Sequence, residues 1–333
     1  VQGAWVLTNE KWFQGGNIVN YLKLHAGVDV TGNDDIDFTA SRTYFVANNM
    51  LGGNIDGKSI GNIGNDKLKW ESTTRFTAGL LGNFLNNRLS VGFNFYKSRT
   101  SDLLTFSRLA WTGGIRQNWS NSGKLENTGF TANLSLRVLN LSDWKWELGA
   151  GAGHYSNKLT ALADGVSAVE NTIYGATILS QIGQPVGMFY GYRTNGVFAT
   201  QSDADAAALY IVGDNGERKA FRAGDMRFVD VDGNHEINKL DRQIIGNPNP
   251  DLYGNISSSL TWKHWNLSAM FTYSLGNDIF NYQRSILEGG SYYYNQTTAM
   301  NHRWSTEGQV TDIPRVEYLD PMGNSRFSDR WIE

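Results

Sequence analysis

A short acidic segment carries the clearest arrangement of metal-ligating residues in the chain. Oxygen-bearing side chains stand at positions 1, 3, 5 and 12 of the stretch DVDGNHEINKLD, and they belong to Asp230, Asp232, Asn234 and Asp241. A hard cation needs several oxygen ligands that converge from one tight loop, and this spacing is typical of a 12-residue calcium loop. The stretch therefore predicts Ca²⁺ as a candidate ligand, whereas no cofactor is required by any other part of the sequence.

Two residues of this segment depart from the calcium-loop pattern. His235 occupies the sixth position, where glycine usually forms a sharp turn, and Asp241 replaces the longer glutamate of the twelfth position. The alternative is an Asx-rich turn that stabilises itself through hydrogen bonds from its backbone to its own side chains. Both interpretations are open at the level of sequence.

Residues suited to covalent chemistry are sparse. The chain contains no cysteine, which excludes thiol catalysis and cysteine-ligated metals. Its five histidines are scattered, with no pair four residues apart, and no P-loop, dinucleotide fingerprint or nucleophile elbow is present. We therefore predict that the chain is not an enzyme.

Aromatic residues cluster in segments that are predicted to be loops. Flat rings pack against the apolar faces of sugars and peptides, while neighbouring amides bind their polar groups. Packing of the loops on themselves or on a partner protein is equally compatible with these clusters. The candidate residues for contact with substrate or partner are Trp111, Trp119, Phe189, Tyr190, Tyr192, Tyr292, Tyr293 and Tyr294.

Between these clusters, apolar and polar residues alternate with a period of two, which is typical of β-strands. Segments 72–84 and 88–98 alternate in this way, and the residues between them tolerate positive φ angles, so the two segments predict a hairpin. A short helix is predicted at 202–209, with Ser202 as its N-cap. Further strands are predicted near 21–28, 134–138, 146–152, 256–262 and 265–275.

The connections between the predicted strands fall into two classes. Hairpins close within a few residues, whereas long connections are predicted at 99–127, 156–251 and 277–330. Tight turns on one side and long loops on the other are typical of a transmembrane β-barrel with short periplasmic turns and long extracellular loops. The predicted fold is therefore all-β, an antiparallel transmembrane β-barrel segment, with a soluble β-sandwich as the alternative.

The composition agrees with a barrel and excludes several other classes of protein. The chain of 333 residues is 13% aromatic and 18% charged, with a formal net charge of −3. This balance gives no basic footprint for nucleic acid, and the aromatic content argues against intrinsic disorder. Tryptophan and tyrosine gather at predicted strand ends, where the aromatic girdles of membrane barrels lie.

Four passages resemble the SusC-like, or RagA-like, family of TonB-dependent outer-membrane transporters. They are NDKLKWE at 65–71 with YKSRTSDLL at 96–104, IGQPVGMFYGY at 182–192 with GVF at 196–198, GDMRFVD at 224–230 with IGNPNPD at 245–251 and YG at 253–254, and SDRWIE at 328–333. Their order and spacing carry the resemblance, which spans nearly the whole chain. The family pattern favours glycine at the position of His235.

This resemblance implies a nutrient importer in the outer membrane of a Gram-negative bacterium. Such transporters have a barrel of about 22 strands and a plug domain, so residues 1–333 are expected to form an internal part of the barrel, without the plug or the final strands. Residues 156–251 are expected to be a long extracellular loop region. The resemblance further implies uptake of glycan or peptide oligomers with a SusD-like surface lipoprotein and energy from TonB, in contact with outer-membrane lipid.

Two other functions are compatible with the sequence. A passive porin would share the barrel but would lack coupling to TonB. A soluble β-rich carbohydrate-binding module would use the acidic segment as a calcium loop, and it would not need detergent for extraction.

Overall fold

The computed structural model describes residues 1–13, 16, 18–50, 55–108, 117–163, 165–213 and 215–333. Antiparallel β-strands dominate it, as the sequence predicts. No helix in these ranges is both long enough and apolar enough to cross a membrane. The chain divides into two compact units, the first comprising Val1–Ala168, Gln181–Val186 and Pro250–Gly276 and the second Val169–Ser180, Gly187–Asn249 and Asn277–Glu333.

An eight-stranded antiparallel sheet forms most of the first unit, with the strand order β1-β2-β5-β6-β7-β8-β17-β18. In chain order the strands are β1 (Gln2–Val6), β2 (Val19–Asn33), β3 (Tyr44–Met50), β4 (Ile55–Asn62), β5 (Glu71–Phe84), β6 (Leu89–Arg108), β7 (Gln117–Asn140), β8 (Trp144–Ala161), β9 (Ala168–Ile173), β10 (Ala176–Gln181), β11 (Met188–Gly191), β12 (Thr194–Val197), β13 (Tyr210–Val212), β14 (Arg218–Ala220), β15 (Met226–Phe228), β16 (Gln243–Gly246), β17 (Leu252–Trp262) and β18 (Trp265–Leu275). Strands β3 and β4 pair separately as a hairpin.

The two faces of the large sheet differ in polarity because side chains alternate along each strand. On one face Ala78 lies opposite Phe95, and Leu80 lies opposite Phe93. On the other face Thr77 lies opposite Tyr96 and Gly79 lies opposite Asn94. Large side chains of the apolar face are exposed, up to 75% for Trp265. This sheet therefore presents an apolar surface that no described residue covers.

Three tight turns lie at the same end of the sheet, and they join β5 to β6, β7 to β8 and β17 to β18. They share this end because neighbouring strands alternate in direction across the sheet. The turn between β5 and β6 contains Leu85, Asn86 and Asn87, all with positive φ angles of 55° to 60°. Asparagine tolerates this left-handed conformation, which confirms the predicted hairpin. At the same end Trp144 stacks on Trp262, with ring centroids 5.4 Å apart.

The structure differs from the sequence prediction over 99–127, which is not simply a loop. Strands β6 and β7 continue to pair as far as Arg108 opposite Gln117. The register shifts between Thr100 and Leu104, and Asp102 has a φ angle of +56°. A bulge of this kind interrupts the alternation, and for this reason the continuation of the strands is not apparent in the sequence pattern.

The second unit contains the small strands β9 to β16 and two short helices, α1 (Gln201–Ala207) and α2 (Tyr282–Leu287). Strands β9, β10, β11 and β16 form one sheet in the order β16-β11-β10-β9. Helix α1 lies within the segment 156–251, and its N-cap stands two residues earlier than predicted. Its N-cap is Thr200 rather than Ser202, because the Thr200 hydroxyl accepts a hydrogen bond of 3.1 Å from the backbone N–H of Asp203.

An apolar core and one buried carboxylate hold the second unit together. The core consists of Phe198, Ala204, Leu209, Phe221, Met226, Phe228, Ile237 and Met322. Beside it Asp225 is fully buried, and its Oδ1 accepts from Arg315 Nε at 2.7 Å and from Asn324 Nδ2 at 3.0 Å. Its Oδ2 accepts from the backbone N–H of Arg222 at 2.8 Å. Asp225 thus joins three separate segments at the edge of the core.

Candidate functional site

The acidic segment forms a compact cluster of carboxylates within the second unit. Carboxylate oxygens of Asp230, Asp232 and Asp241 lie within 4.8 Å of one another. Asp232 is exposed, Asp230 is half-buried and Asp241 is buried. Three carboxylates that converge in this way provide oxygen ligands of the kind that a hard divalent cation prefers.

Backbone N–H groups hold these carboxylates in place. Asp230 accepts hydrogen bonds of 2.8 Å from Gly233 and His235, and Asp241 accepts bonds of 2.8 Å from Val231 and Asn238. Partial burial opposes ionisation of Asp230, but the N–H groups of His235 and Gly233 outweigh it and lower the pKa of Asp230. Each carboxylate is therefore ordered, and its remaining lone pairs are available to a ligand.

The two departures from the calcium-loop pattern have different structural consequences. His235 has a φ angle of +64°, so it adopts the left-handed conformation for which glycine is usual. Asp241 caps a short 3₁₀ helix, Lys239–Asp241, in a capping box with Asn238. Asn234, the fourth predicted ligand, donates its amide to Asp232 at 2.9 Å and accepts from the backbone N–H of Glu236. Binding of a cation by Asn234 would require its amide to turn.

We expect Asp232→Asn to weaken Ca²⁺ binding about tenfold, because cation affinity in such loops depends on the number of charged ligands. Asp232 is exposed, and the substitution leaves the structural bonds of Asp241 intact. Calorimetric titration of the intact protein with CaCl₂ measures the effect, with Asp203→Asn on α1 as a control of equal charge. A titration that shows no difference between the unaltered protein and Asp232→Asn would favour the Asx-rich turn.

Several predicted ligand-facing aromatic residues pack inside the second unit instead. Phe189 is only 8% exposed, and its ring meets Phe327 edge-on with centroids 6.3 Å apart. Tyr190 is half-buried beneath the guanidinium of Arg242, 4.9 Å from the ring centroid. In this conformation Phe189 is not accessible to a ligand, because a strand of the small sheet carries it into the interior.

Tyr192 and Trp119 are also tied to their surroundings. The Tyr192 ring contacts Phe228 edge-on at 5.7 Å, and the guanidinium of Arg326 lies 4.9 Å from its centroid. Trp119 is half-buried in β7 opposite Phe106, and its carbonyl accepts from Asn65 Nδ2 at 3.0 Å. Trp111 lies outside the described residues.

The three consecutive tyrosines are exposed, as expected of residues that contact a ligand or partner. Tyr292 is 56% exposed, Tyr293 90% and Tyr294 60%. Tyr292 and Tyr294 approach each other with ring centroids 5.7 Å apart, whereas Tyr293 stacks on Tyr318 at 5.1 Å. The middle ring therefore points away from its two neighbours.

Tyr292 and Tyr294 line a pocket of about 280 Å³, which we call the tyrosine pocket. Tyr174, Phe280, Phe327 and Trp331 complete its aromatic lining. The sequence analysis did not identify these four residues as candidates. Tyr174 lies more than a hundred residues before the other three, so no spacing pattern could have united them.

Comparison with known proteins gives matches over nearly the full length of the chain. TonB-dependent receptor P3 of Formosa agariphila is 30% identical over 331 residues, which cover 97% of this chain and 32% of the relative. TonB-dependent receptor SusC of Bacteroides thetaiotaomicron is 27% identical over 290 residues, covering 83% of this chain and 27% of the relative. This confirms the predicted resemblance to SusC-like TonB-dependent transporters.

Solved structures share the fold of this chain. The match to the structure of the RagAB peptide transporter covers 100% of this chain and 35% of the RagAB chain, with a TM-score of 0.75 and 23% identity. The RagAB peptide importer in a state described as closed-closed has a TM-score of 0.76 at 24% identity. The antiparallel barrel segment is thus confirmed as the fold. No protein-family model matches the chain.

The chain spans about one third of the length of the curated relatives it matches. Residues of the passages that carry the resemblance have packing roles in the second unit. Asp225 and Trp331 are buried, and a Cβ on Gly191 would lie 2.7 Å from the carbonyl oxygen of Phe327. The passages that carry the resemblance therefore include residues that pack the fold, whereas the tyrosine pocket is lined mainly by residues outside those passages.

Proposed function

We propose that this chain is part of an outer-membrane importer of the SusC type, which takes up glycan or peptide oligomers. The large sheet supplies part of the barrel wall, and the residues of the second unit bear on substrate and partner. A SusD-like surface lipoprotein captures the oligomer, and TonB supplies the energy through a part of the protein other than the described strands. No residue of the chain performs covalent chemistry in this proposal.

The apolar face of the eight-stranded sheet is the observation that carries the proposal. Phe271 is 72% exposed, Leu267 70% and Ile256 57%. Exposed apolar area on this scale is costly in water but favourable in the hydrocarbon core of a membrane. The opposite face carries serine, threonine and asparagine, which suit a hydrated lumen.

The edges of the sheet support the proposal that it belongs to a larger barrel. Strand β1 pairs only with β2, and β18 pairs only with β17 among the described strands. An unpaired strand edge in lipid leaves backbone N–H and C=O groups without partners, so membrane sheets close into barrels. Further strands of the same transporter would pair with these two edges.

Extraction of native membranes in mild detergent, followed by mass spectrometry, tests the location and the partner together. We expect the protein in the outer-membrane fraction, with a mass near three times that of this chain and with a surface lipoprotein of SusD type bound. Recovery of a species of 37.1 kDa from the soluble fraction would contradict the proposal and favour the carbohydrate-binding module.

Uptake assays distinguish an energised importer from a passive porin. We expect cells that carry the intact protein to lose accumulation of the oligomer when tonB is deleted. Accumulation that is unchanged in the tonB deletion would instead identify a porin.

A further inference from the structure

The tyrosine pocket combines aromatic walls with small polar groups. Phe280 and Phe327 meet edge-on with ring centroids 5.2 Å apart, next to the buried Trp331. Tyr292 and Tyr294 form the exposed rim. Aromatic faces of this kind offer a flat apolar surface to a ligand of matching shape.

Tyr174 reaches this rim from the two-residue turn between β9 and β10. Its φ angle is +50° and that of Gly175 is +86°, as in a type I′ hairpin turn. An aromatic residue rarely adopts positive φ, and asparagine or glycine would fit the turn with less strain. The turn nevertheless places the Tyr174 ring against Tyr282, with centroids 5.1 Å apart and Tyr174 74% exposed.

Among the described residues, none that lines the tyrosine pocket carries a formal charge at neutral pH. Charged residues beside the lining residues already have partners. Arg284 pairs with Glu288 at 3.0 Å and with Glu333 at 3.4 Å. Asp320 accepts hydrogen bonds of 2.6 Å from both the backbone N–H and the hydroxyl of Ser325. Arg284 and Asp320 therefore already have partners, and neither of them lines the pocket.

Arg330 stays charged beneath the pocket but does not reach it. Burial lowers the pKa of Arg330 to about 10, while Glu288 opposes this shift, so the guanidinium is protonated at neutral pH. It lies 4.3 Å from the ring centroid of Trp331 and donates to the carbonyl oxygen of Glu288 at 3.3 Å. Its Nε and Nη1 atoms have no solvent exposure, so a ligand in the pocket cannot contact them.

Neutral hydrogen-bonding groups are available instead. The amide of Gln296 lines the pocket, is exposed, and has no hydrogen-bond partner among the residues that the structure describes. The hydroxyls of Ser291 and Ser325 lie 2.9 Å apart at the wall. The Gln296 amide can both donate to and accept from the hydroxyls of a sugar. The serine oxygens, whose hydrogens are already engaged, can accept from those hydroxyls, so no charge has to be desolvated.

We propose that the tyrosine pocket binds one neutral sugar unit of an oligosaccharide. This proposal rests on the proposed import function and selects glycan over peptide as the substrate. A sugar ring has one apolar face for the tyrosines and a rim of hydroxyls for Gln296 and the serines. A peptide brings charged termini and side chains, for which the pocket provides no free counter-charge. The volume of about 280 Å³ lies at the lower end of small-molecule sites, so it suits one ring rather than a chain.

Binding of short oligosaccharides to the intact importer, purified in detergent, tests this assignment. A printed array of neutral and charged glycans identifies the probe, and calorimetry compares that glycan with alanine peptides of equal length. We expect a neutral glycan to bind, and we expect Tyr292→Ala and Tyr294→Ala each to weaken it roughly tenfold. Gln296→Ala, which removes an exposed amide with no folding role, is expected to weaken the same glycan several-fold.

Tyr293→Ala is the matched control, because Tyr293 is an adjacent exposed tyrosine that does not line the pocket. It should leave glycan affinity unchanged within about twofold. The assignment is overturned if only peptides or charged glycans bind, if no array glycan binds, or if neutral-glycan affinity is the same in all four variants.

Uptake separates failure of this assignment from failure of the proposed import function. TonB-dependent accumulation of a peptide that persists in Tyr292→Ala would refute the sugar pocket while leaving the importer in place. Glycan binding that depends on Tyr292 in a protein without TonB-dependent uptake would refute the importer and retain the pocket.

Discussion

Replacement of Asp225 by alanine is expected to destabilise the second unit by about 3–5 kcal/mol, because three hydrogen-bond donors lose a buried carboxylate, although Arg315 keeps its ion pair with Glu317 at 2.6 Å. Asp225 is fully buried, and Arg315 donates to it at 2.7 Å. The same substitution leaves Asn324 Nδ2 and the backbone N–H of Arg222 without their acceptor. Hydrogen exchange of the backbone amides of β15, measured on the intact protein, reports the local opening free energy.

The control for Asp225→Ala is the same substitution at an exposed acidic residue of the second unit. Asp203 lies in the first turn of α1 and faces solvent. We expect Asp203→Ala to cost less than about 1 kcal/mol, since only its interaction with the helix dipole is lost. Equal exchange rates in β15 for the two variants would show that Asp225 does not hold the three segments together.

Replacement of Gly254 by alanine is expected to cost about 3 kcal/mol, because the added Cβ would overlap the backbone carbonyl of Gly151. Gly254 pairs with Ala152 of β8 and with Tyr273 of β18. The Tyr273 hydroxyl, which donates to Gly151 at 3.0 Å, would also lie 2.7 Å from the new Cβ. Backbone cannot rotate away as a side chain does, so β17 would have to separate from β8.

Thermal unfolding of the intact protein in detergent measures this effect as a lower midpoint. Gly92→Ala is the matched control in the same sheet, because its Cβ would lie 3.3 Å from Leu81 Cδ2, the far end of a flexible side chain. We expect Gly92→Ala to change stability by less than about 1 kcal/mol. Midpoints that fall equally in both variants would contradict a specific role of the glycine at 254.

The strands and tight turns of the large sheet could be predicted because their determinants are local. Alternation along 72–84 and 88–98 specifies which face each side chain occupies, and Asn86 with Asn87 specifies the turn between the strands. The bulge near Asp102 breaks the alternation, so the continuation of β6 and β7 beyond residue 98 became visible only in three dimensions.

The candidate sites also include residues that the sequence could predict and residues that it could not. The acidic loop lies within twelve consecutive residues, so its spacing in the sequence already places the carboxylates close together. Phe189 and Tyr292 look alike in the sequence, because each belongs to a short cluster of aromatic residues. Burial separates them, because Phe189 lies on a strand that packs in the interior, whereas Tyr292 lies on the surface. Burial depends on the whole unit, and no local pattern reports it.

The antiparallel strands, the tight turns, the acidic loop and the resemblance to SusC-like transporters could be recognised from the order of the residues. Each of these depends on neighbouring residues or on ordered passages along the chain. The surroundings of Asp225 and the lining of the tyrosine pocket became apparent only in the folded chain. Tyr174, Tyr294 and Trp331 meet there from distant segments, and their meeting depends on packing that the order of residues does not display.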